Sequence, residues 1–204
     1  MTRILFICLG NICRSPMAEY VMKDLTSKAG LSEQFEIASA ATSAWEIGNP
    51  VYPPARQKLA EHGIDCNGKT ARQMTRLDYA RYDHLIGMDE SNLCDILRLV
   101  GGDPQHKVSL LMAHTDHPRE VADPWFTGDF EATWQDILEG CTALLEELRS
   151  SQIIIKTDGC LPVDRHPSIF LFQIILKYFS VSRMAFSFSG GHLSCLGFSA
   201  LGLL

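Results

Sequence analysis

Hydrophobic and polar positions over the first 150 residues follow two different periodicities. Short uninterrupted apolar runs, such as Ile4–Ile7, are typical of strands that are buried on both faces. Between these runs, apolar residues recur at helical spacing, as Met17, Val21 and Leu25 do. The strands predicted from this pattern cover residues 4–7, 35–41, 82–88 and 107–112.

Residues that favour helix ends delimit the helical stretches. Gly30 follows the first stretch, Pro53 and Pro54 open the second, and Asp89 is expected to cap the third. The predicted helices cover residues 16–30, 53–62, 90–100 and 130–148. Residues 71–74 are predicted as a connector or a helical turn. Strands that alternate with helices predict an α/β fold with a parallel sheet covered on both faces.

The loop that follows the first strand contains the residues for a specific chemistry. Ser15 followed by Pro16 predicts a helix start with Ser15 as the N-cap. Loop N–H groups and a helix N-terminus then converge on one point, which suits an oxyanion such as phosphate. The same field favours the thiolate of Cys8, and the planar guanidinium of Arg14 can bind two phosphate oxygens. The sequence therefore predicts a nucleophilic cysteine at the floor of a phosphate site.

The string from Cys8 to Pro16, Cys-Leu-Gly-Asn-Ile-Cys-Arg-Ser-Pro, resembles the low-molecular-weight protein tyrosine phosphatases. The resemblance covers roughly residues 3–149. It implies a small doubly wound α/β domain with a four-stranded parallel sheet and helices on both faces. Gly10 is expected to let the backbone turn tightly, and Asn11 tolerates a left-handed conformation.

A second motif, Asp123-Pro124, is expected in the loop after the fourth strand and matches the family's general acid. A departing phenolate needs such a proton donor in the transition state. The resemblance implies that Cys8 attacks phosphorus and forms a cysteinyl-phosphate, while Arg14 and the loop N–H groups hold the equatorial oxygens. Asp123 protonates the leaving oxygen and then acts as a base for water. This chemistry requires no cofactor and no metal, and the histidines show no ligand spacing.

The resemblance also assigns the binding residues. The phosphate-binding residues are expected to be Leu9, Gly10, Asn11, Ile12, Cys13, Arg14 and Ser15. Ser15 is expected to donate a hydrogen bond to the Cys8 sulfur, and Asn11 to fix the loop. Trp45, Trp125 and Phe126 are expected to wall the pocket, since flat aromatic rings suit an aryl phosphate. The predicted substrate is phosphotyrosine in a protein, or a small aryl phosphate.

Several alternatives stay open at this point. The same scaffold serves arsenate reductases and protein-arginine phosphatases, and a silent phosphate-binding module would retain the same loop. Cys13 has two equally supported interpretations, as a redox partner that captures oxidised Cys8 or as a packing residue beneath the loop. Cys66, Cys94 and Cys141 are predicted to be packing residues.

Charge and cysteine content restrict the setting of this chemistry. The 204 residues include 18 Lys and Arg against 24 Asp and Glu, and a net charge of −6 argues against nucleic acid as a partner. Seven cysteines, an odd number without zinc-like spacing, favour reduced thiols and a cytoplasmic location. The first strand begins almost at Met1, which leaves no room for a separate targeting peptide.

The composition changes near residue 150. Only six of the 42 charged side chains lie in residues 151–204, together with seven of the 18 aromatic ones. We therefore predict a phosphatase domain over residues 1–152 and an apolar C-terminal extension over residues 153–204. The extension can be an alternative C-terminus without packed structure, a weakly membrane-associating appendage, or a segment that packs on the domain. We favour the first interpretation, because the extension lacks clear periodicity.

Overall fold

Four parallel strands and six α-helices form the part of the chain that a computed structural model describes, residues 1–158. The elements in chain order are β1 Thr2–Cys8, α1 Arg14–Lys28, β2 Phe35–Ala41, α2 Pro53–Glu61, α3 Arg76–Arg81, β3 His84–Gly87, α4 Glu90–Val100, β4 Val108–Leu110, α5 Pro124–Thr127 and α6 Phe130–Asp158. Two short 3-10 turns, Ser32–Gln34 and Leu111–His114, precede β2 and follow β4.

The sheet has the strand order β2-β1-β3-β4, and all its pairings are parallel. Strand β1 lies between β2 and β3, with Cys8 opposite Ala41 and Ile7 opposite Gly87. The chain leaves β1 toward β2 and reaches β3 on the other side. The carboxyl end of β1 is therefore a topological switch point, the place where open α/β sheets bind ligands.

Side chains of β1 enter two separate hydrophobic clusters because successive residues point to opposite faces. Ile4 and Phe6 pack with residues of α1, α2 and α6, whereas Leu5 and Ile7 pack with residues of β3 and α4. All four side chains are fully buried. The predicted doubly wound fold with helices on both faces is confirmed, and burial of β1 on both faces explains its unbroken apolar run.

The structure shortens two predicted strands and moves one helix start. β3 covers His84–Gly87 rather than residues 82–88, and β4 ends at Leu110, where a 3-10 turn begins. Helix α1 begins at Arg14, with Cys13 as its N-cap and no side-chain cap. The prediction that Ser15 caps this helix is therefore wrong, because the tight loop starts the helix two residues earlier.

Helix α3 was not predicted from the sequence. Residues 71–74 are extended rather than helical, and Gln73 forms an isolated parallel bridge with Ala41. The helix then starts with a capping box between Thr75 and Asp78. Arg72 adds two contacts to the same carboxylate, at 3.1 and 3.0 Å. The Thr-x-x-Asp spacing was the available signal for this helix.

Helix α6 begins at Phe130, as predicted, and continues past Leu148 to Asp158. The predicted domain boundary at residue 152 thus falls within a helix. From residue 159 onward, the predicted extension lies outside the described residues and stays a prediction. The same holds for its proposed weak association with membranes.

Candidate active site

The loop after β1 is built so that its carbonyl groups point outward. The carbonyls of Cys8 and Leu9 accept from Thr42 and Ser43 N–H at 2.9 and 3.0 Å, and that of Ile12 accepts from Tyr52 N–H at 2.9 Å. In a planar trans peptide the N–H that follows each carbonyl points the opposite way. The loop therefore turns a set of amide donors inward, which is the arrangement of an anion cradle.

Asn11 and Gly10 contribute to the shape of this loop in different ways. Asn11 has φ 56°, the left-handed conformation predicted for it. Gly10 does not adopt a positive φ; instead, a Cβ at this position would lie 3.2 Å from the side-chain Cγ of Glu46. Glycine at this position therefore lets the Glu46 side chain approach the loop closely, and the expected tight turn does not depend on a left-handed conformation of Gly10.

Cys8 lies at the floor of the loop and is almost fully buried. Its Sγ is 3.0 Å from the hydroxyl oxygen of Ser15 and accepts the N–H of Asn11 at 3.3 Å. Both partners can donate to a sulfur that carries negative charge. This geometry is compatible with the predicted hydrogen bond from Ser15, which places its side chain toward the loop interior rather than at a helix cap.

A buried network holds Asn11 in place. The side-chain amide of Asn11 donates to Ser15 Oγ at 2.8 Å and to Ser39 Oγ at 2.7 Å. Ser39 in turn donates to Glu19 Oε2 at 2.6 Å, and Lys69 lies 2.8 Å from the same oxygen. The sequence interpretation missed all three residues. Glu19 is only four residues beyond Ser15, but its partners Ser39 and Lys69 are distant from the loop in the chain.

Glu19 is the charged centre of this network. Burial raises the pKa of its carboxyl group, but the ammonium groups of Lys69 and Lys23 and the hydroxyl of Ser39 outweigh burial and lower the pKa overall. Glu19 is therefore ionised at neutral pH and pairs with both lysines. Because its side chain is 5% exposed, this ion pair is shielded from water.

We expect Glu19→Gln to lower the free energy of unfolding by about 3 kcal/mol at pH 7, because it leaves Lys69 without a counter-charge in a buried site. The folded pKa of Glu19 is lowered, so its stabilisation is complete above the unfolded value near 4.5 and is lost as the pH falls through the folded value. Urea unfolding between pH 3 and 7 measures this effect. The exposed Glu33→Gln is the control, and a wild-type-like Glu19→Gln would contradict the assignment.

Arg14 joins the loop to two carboxylates from other parts of the chain. Its two terminal nitrogens bind Asp89 Oδ2 at 2.6 Å and Asp123 Oδ2 at 2.8 Å. Burial lowers the pKa of the guanidinium, but the Cys8 sulfur, Asp123 and Asp89 together raise it. A guanidinium carries five N–H donors, so two carboxylate contacts leave donors for phosphate oxygens.

Asp89 has a role that the sequence did not indicate. It caps α4 as predicted, accepting the N–H of Asn92 at 2.7 Å through Oδ1. Its second oxygen binds Arg14 at the same time. The cap therefore also orients the guanidinium, because one carboxylate links the start of α4 to the phosphate loop.

Asp123 lies beside the phosphate loop, as predicted. It is the N-cap of the short helix α5 and accepts the N–H of Trp125 at 3.0 Å through Oδ1. Its side chain is 30% exposed, so the carboxylate is accessible to water while Oδ2 binds Arg14. The site thus brings together Cys8, Arg14 and Asp123, which are up to 115 residues apart in the chain.

The three predicted pocket aromatics are exposed, and the groove that Trp45 lines does not include Trp125 or Phe126. Trp45, which is 79% exposed, lines a shallow groove of about 410 Å³ together with Leu9, Ser43 and Leu99. Trp125 packs against Tyr52 with 5.5 Å between the ring centroids, and Phe126 is 85% exposed. Leu9 belongs to the phosphate loop, so Trp45 is placed at its rim. Tyr52 was not predicted.

The other described cysteines differ in their surroundings. Burial, the Cys8 sulfur and Asp123 raise the pKa of Cys13 to about 12, which keeps its thiol protonated and makes it a poor attacking group. The two interpretations of Cys13, as a redox partner of Cys8 and as a packing residue, both stay open. Cys66 and Cys141 are buried, as predicted for packing residues, but Cys94 is exposed on α4, and the packing prediction for it is wrong. All five cysteines in residues 1–158 are free.

None of the helices in residues 1–158 combines the length and the apolar composition that a membrane span requires. Within the same range, no group of three or more His, Cys, Asp or Glu side chains is arranged to hold a metal ion.

Comparison with known proteins places this geometry in a family. Residues 3–153 match the family model described as low molecular weight phosphotyrosine protein phosphatase. The chain is 36% identical over 154 residues to the low molecular weight protein-tyrosine-phosphatase YfkJ of Bacillus subtilis, covering 74% of this chain and 99% of that protein. It is 38% identical over 149 residues to the human low molecular weight phosphotyrosine protein phosphatase, covering 71% and 94%.

Solved structures agree with the sequence matches. The crystal structure of YfkJ superposes with a TM-score of 0.71 over 74% of this chain and 96% of that one. DARP, a drosophila arginine phosphatase, is 29% identical and gives a TM-score of 0.66 over 72% of this chain and 98% of that one. The family match, the sheet order and the cysteine–arginine loop lead to one conclusion: the chain belongs to the low molecular weight phosphotyrosine protein phosphatase family.

Proposed function

We infer that this protein is a protein-tyrosine phosphatase that also hydrolyses small aryl phosphates, and that it acts through a cysteinyl-phosphate. The observation that carries this inference is the convergence of Cys8, Arg14 and Asp123 at the carboxyl end of β1. Arg14 contributes to the same loop as Cys8 and binds Asp123 at 2.8 Å. A nucleophile, an anion-binding cation and a proton donor are the three groups that phosphate ester cleavage requires.

In the first step, Cys8 Sγ attacks phosphorus and the bond from phosphorus to the tyrosyl oxygen breaks. Arg14 and the inward N–H groups of the loop hold the equatorial oxygens as charge redistributes. Asp123, protonated at this stage, gives its proton to the departing oxygen, so that neutral tyrosine leaves. Ser15 and the Asn11 N–H stabilise the sulfur anion before attack.

In the second step, the cysteinyl-phosphate is hydrolysed. Asp123, now a carboxylate, accepts a proton from a water molecule that attacks phosphorus, and the bond from sulfur to phosphorus breaks. Cys8 leaves as a thiolate, and inorganic phosphate is released. Each group thus returns to its starting protonation state.

The exposed aromatic side chains favour an aryl ester as the substrate. Trp45 at the rim, with Trp125 and Phe126 beside Asp123, presents flat apolar faces to a tyrosine ring. The test is hydrolysis of p-nitrophenyl phosphate in the presence of EDTA, followed by matched phosphotyrosine and phosphoarginine peptides. Metal-independent turnover with preference for the phosphotyrosine peptide is expected. Preference for the phosphoarginine peptide would replace this substrate assignment with that of a protein-arginine phosphatase.

We expect Asp123→Ala to lower kcat/KM for phenyl phosphate by about 100-fold, because the phenolate must then leave without protonation. The loss for p-nitrophenyl phosphate should be much smaller, since nitrophenolate is a better leaving group. Initial rates on the two esters measure this difference. Asp116→Ala, in the loop that precedes Asp123, serves as the control, and an equal loss on both esters would contradict the general-acid role.

We also propose a reducing, cytoplasmic location. The five free cysteines in the described part of the chain, including the nucleophile, support it, because a thiolate enzyme needs a compartment that keeps its thiol reduced.

A further inference from the structure

Ala122, the residue directly before Asp123, is attached to α6 through both of its backbone polar groups. The Ala122 N–H donates to Asp136 Oδ2 at 2.9 Å, and the Ala122 carbonyl accepts from Thr133 Oγ1 at 2.9 Å. Asp136 and Thr133 are one helical turn apart on α6 and therefore lie on the same face. Both backbone polar groups next to the predicted acid are thus held by side chains of one helix.

The same carboxylate also fixes the start of this segment. Asp136 Oδ1 accepts from Arg119 at 2.7 and 3.1 Å, and Arg119 reaches Glu139 Oε2 at 2.6 Å. The Asp136 side chain is 13% exposed, whereas that of Arg119 is 40% exposed, so water partly screens this ion pair. One aspartate therefore holds the loop at two positions, three residues apart.

A third attachment connects the loop to the sheet. Val121 is buried, and its N–H donates to the carbonyl of Met88 at 2.9 Å. Met88 directly precedes Asp89, the second partner of Arg14. The segment from Arg119 to Ala122 is therefore fixed to two elements.

We propose that Asp136 is a positioning residue for the general acid: it anchors the loop at Ala122 so that the Asp123 carboxyl group meets the leaving oxygen. Proton transfer requires hydrogen-bond contact in the transition state, and small displacements reduce it steeply. Asp136 acts only through Asp123 and touches no reacting atom. This proposal rests on the proposed function, because it presupposes that Asp123 is the acid.

The experiment compares two esters that differ in leaving group. Purified full-length variants are assayed for kcat/KM, which reports the step that forms the cysteinyl-phosphate, with phenyl phosphate and with p-nitrophenyl phosphate. Asp136→Ala is expected to lower kcat/KM about tenfold for phenyl phosphate and much less for p-nitrophenyl phosphate. A loss of folded enzyme or of phosphate binding alone would lower both values equally.

Three further variants make the result specific. Asp136→Asn keeps an oxygen acceptor for the Ala122 N–H and should restore most of the activity on phenyl phosphate. Thr133→Val removes the hydroxyl that bonds the carbonyls of Ala122 and Asp129, leaves Asp136 in place, and should reproduce part of the selective loss. Glu139→Ala is the matched control, because Glu139 contacts Arg119 from the same helix and does not contact Ala122.

The outcomes separate this proposal from the proposed function. If Asp123→Ala shows the leaving-group effect and Asp136→Ala and Thr133→Val do not, the positioning role is overturned while the general acid stands. If Asp123→Ala itself shows no leaving-group effect, the acid assignment fails and the positioning role fails with it. Selective loss in Asp136→Ala with recovery in Asp136→Asn establishes the positioning role.

Discussion

Cys8→Ser is expected to abolish phosphatase turnover, with kcat for p-nitrophenyl phosphate falling by at least about 10⁴-fold. Serine preserves the size of the side chain and leaves the contacts with Ser15 and Asn11 available. Its hydroxyl, however, is a far weaker acid than a thiol. None of the contacts described for Cys8 is with a base that could ionise a hydroxyl at this position. Initial rates with EDTA present, and rapid-quench detection of labelled phosphoenzyme, measure the loss.

A control variant and a binding measurement distinguish a loss of the chemical step from a loss of substrate binding. Cys94→Ser removes an exposed thiol on α4 and should leave turnover unchanged. Cys8→Ser should still bind a phosphotyrosine peptide in calorimetry, since the loop donors and Arg14 remain. Turnover above a tenth of the wild-type rate in Cys8→Ser would mean that another group is the nucleophile.

Arg14→Lys is expected to have the second large effect, a fall in kcat/KM of about 10³-fold. A guanidinium can bind Asp89, Asp123 and two phosphate oxygens together, because its donors form a rigid planar fork. An ammonium group is a point charge on a flexible stem and cannot keep all these contacts. Weaker inhibition by inorganic phosphate should accompany the loss, since product and transition state use the same donors.

The charge-preserving control is Arg81→Lys. The Arg81 side chain is 62% exposed and pairs with Glu36 away from the phosphate loop. Its replacement should therefore change neither kcat/KM nor the inhibition by inorganic phosphate. Thermal unfolding of both variants shows whether the fold is intact. Arg14→Lys enzyme with wild-type kcat/KM and wild-type phosphate inhibition would contradict the assigned role of Arg14.

The secondary structure was predictable where burial and local signals agreed. Strand β1 is buried on both faces, so its apolar run was unambiguous, and the stripe of α6 located its start at Phe130. The ends of β3 and β4 were not predictable, because apolar residues continue beyond the last ladder pair. Helix α3 is short and mostly polar, and only the capping box between Thr75 and Asp78 indicated it in the sequence.

The nucleophile, the cation and the acid came from the sequence, because the loop motif places Cys8 and Arg14 within seven residues of each other. Their supports could not be predicted. Glu19 and Ser39 become neighbours only when α1 packs on β2, and Asp89 reaches Arg14 only because β3 lies beside β1. Nothing in the local pattern around Ser39 distinguishes it from any polar residue in a strand.

The sequence by itself determined the alternation of elements, the identity of the chemical groups and the loop that holds them, because propensity, periodicity and loop chemistry are local properties. The tertiary structure alone decided that Asp89 and Asp123 share one guanidinium, that a buried Glu19 network braces Asn11, and that Asp136 holds the loop of the acid. The residues that these contacts join are between 14 and 109 positions apart in the chain. They depend on the order of the strands and on the packing of α6, which follow from burial of the whole core rather than from any short segment.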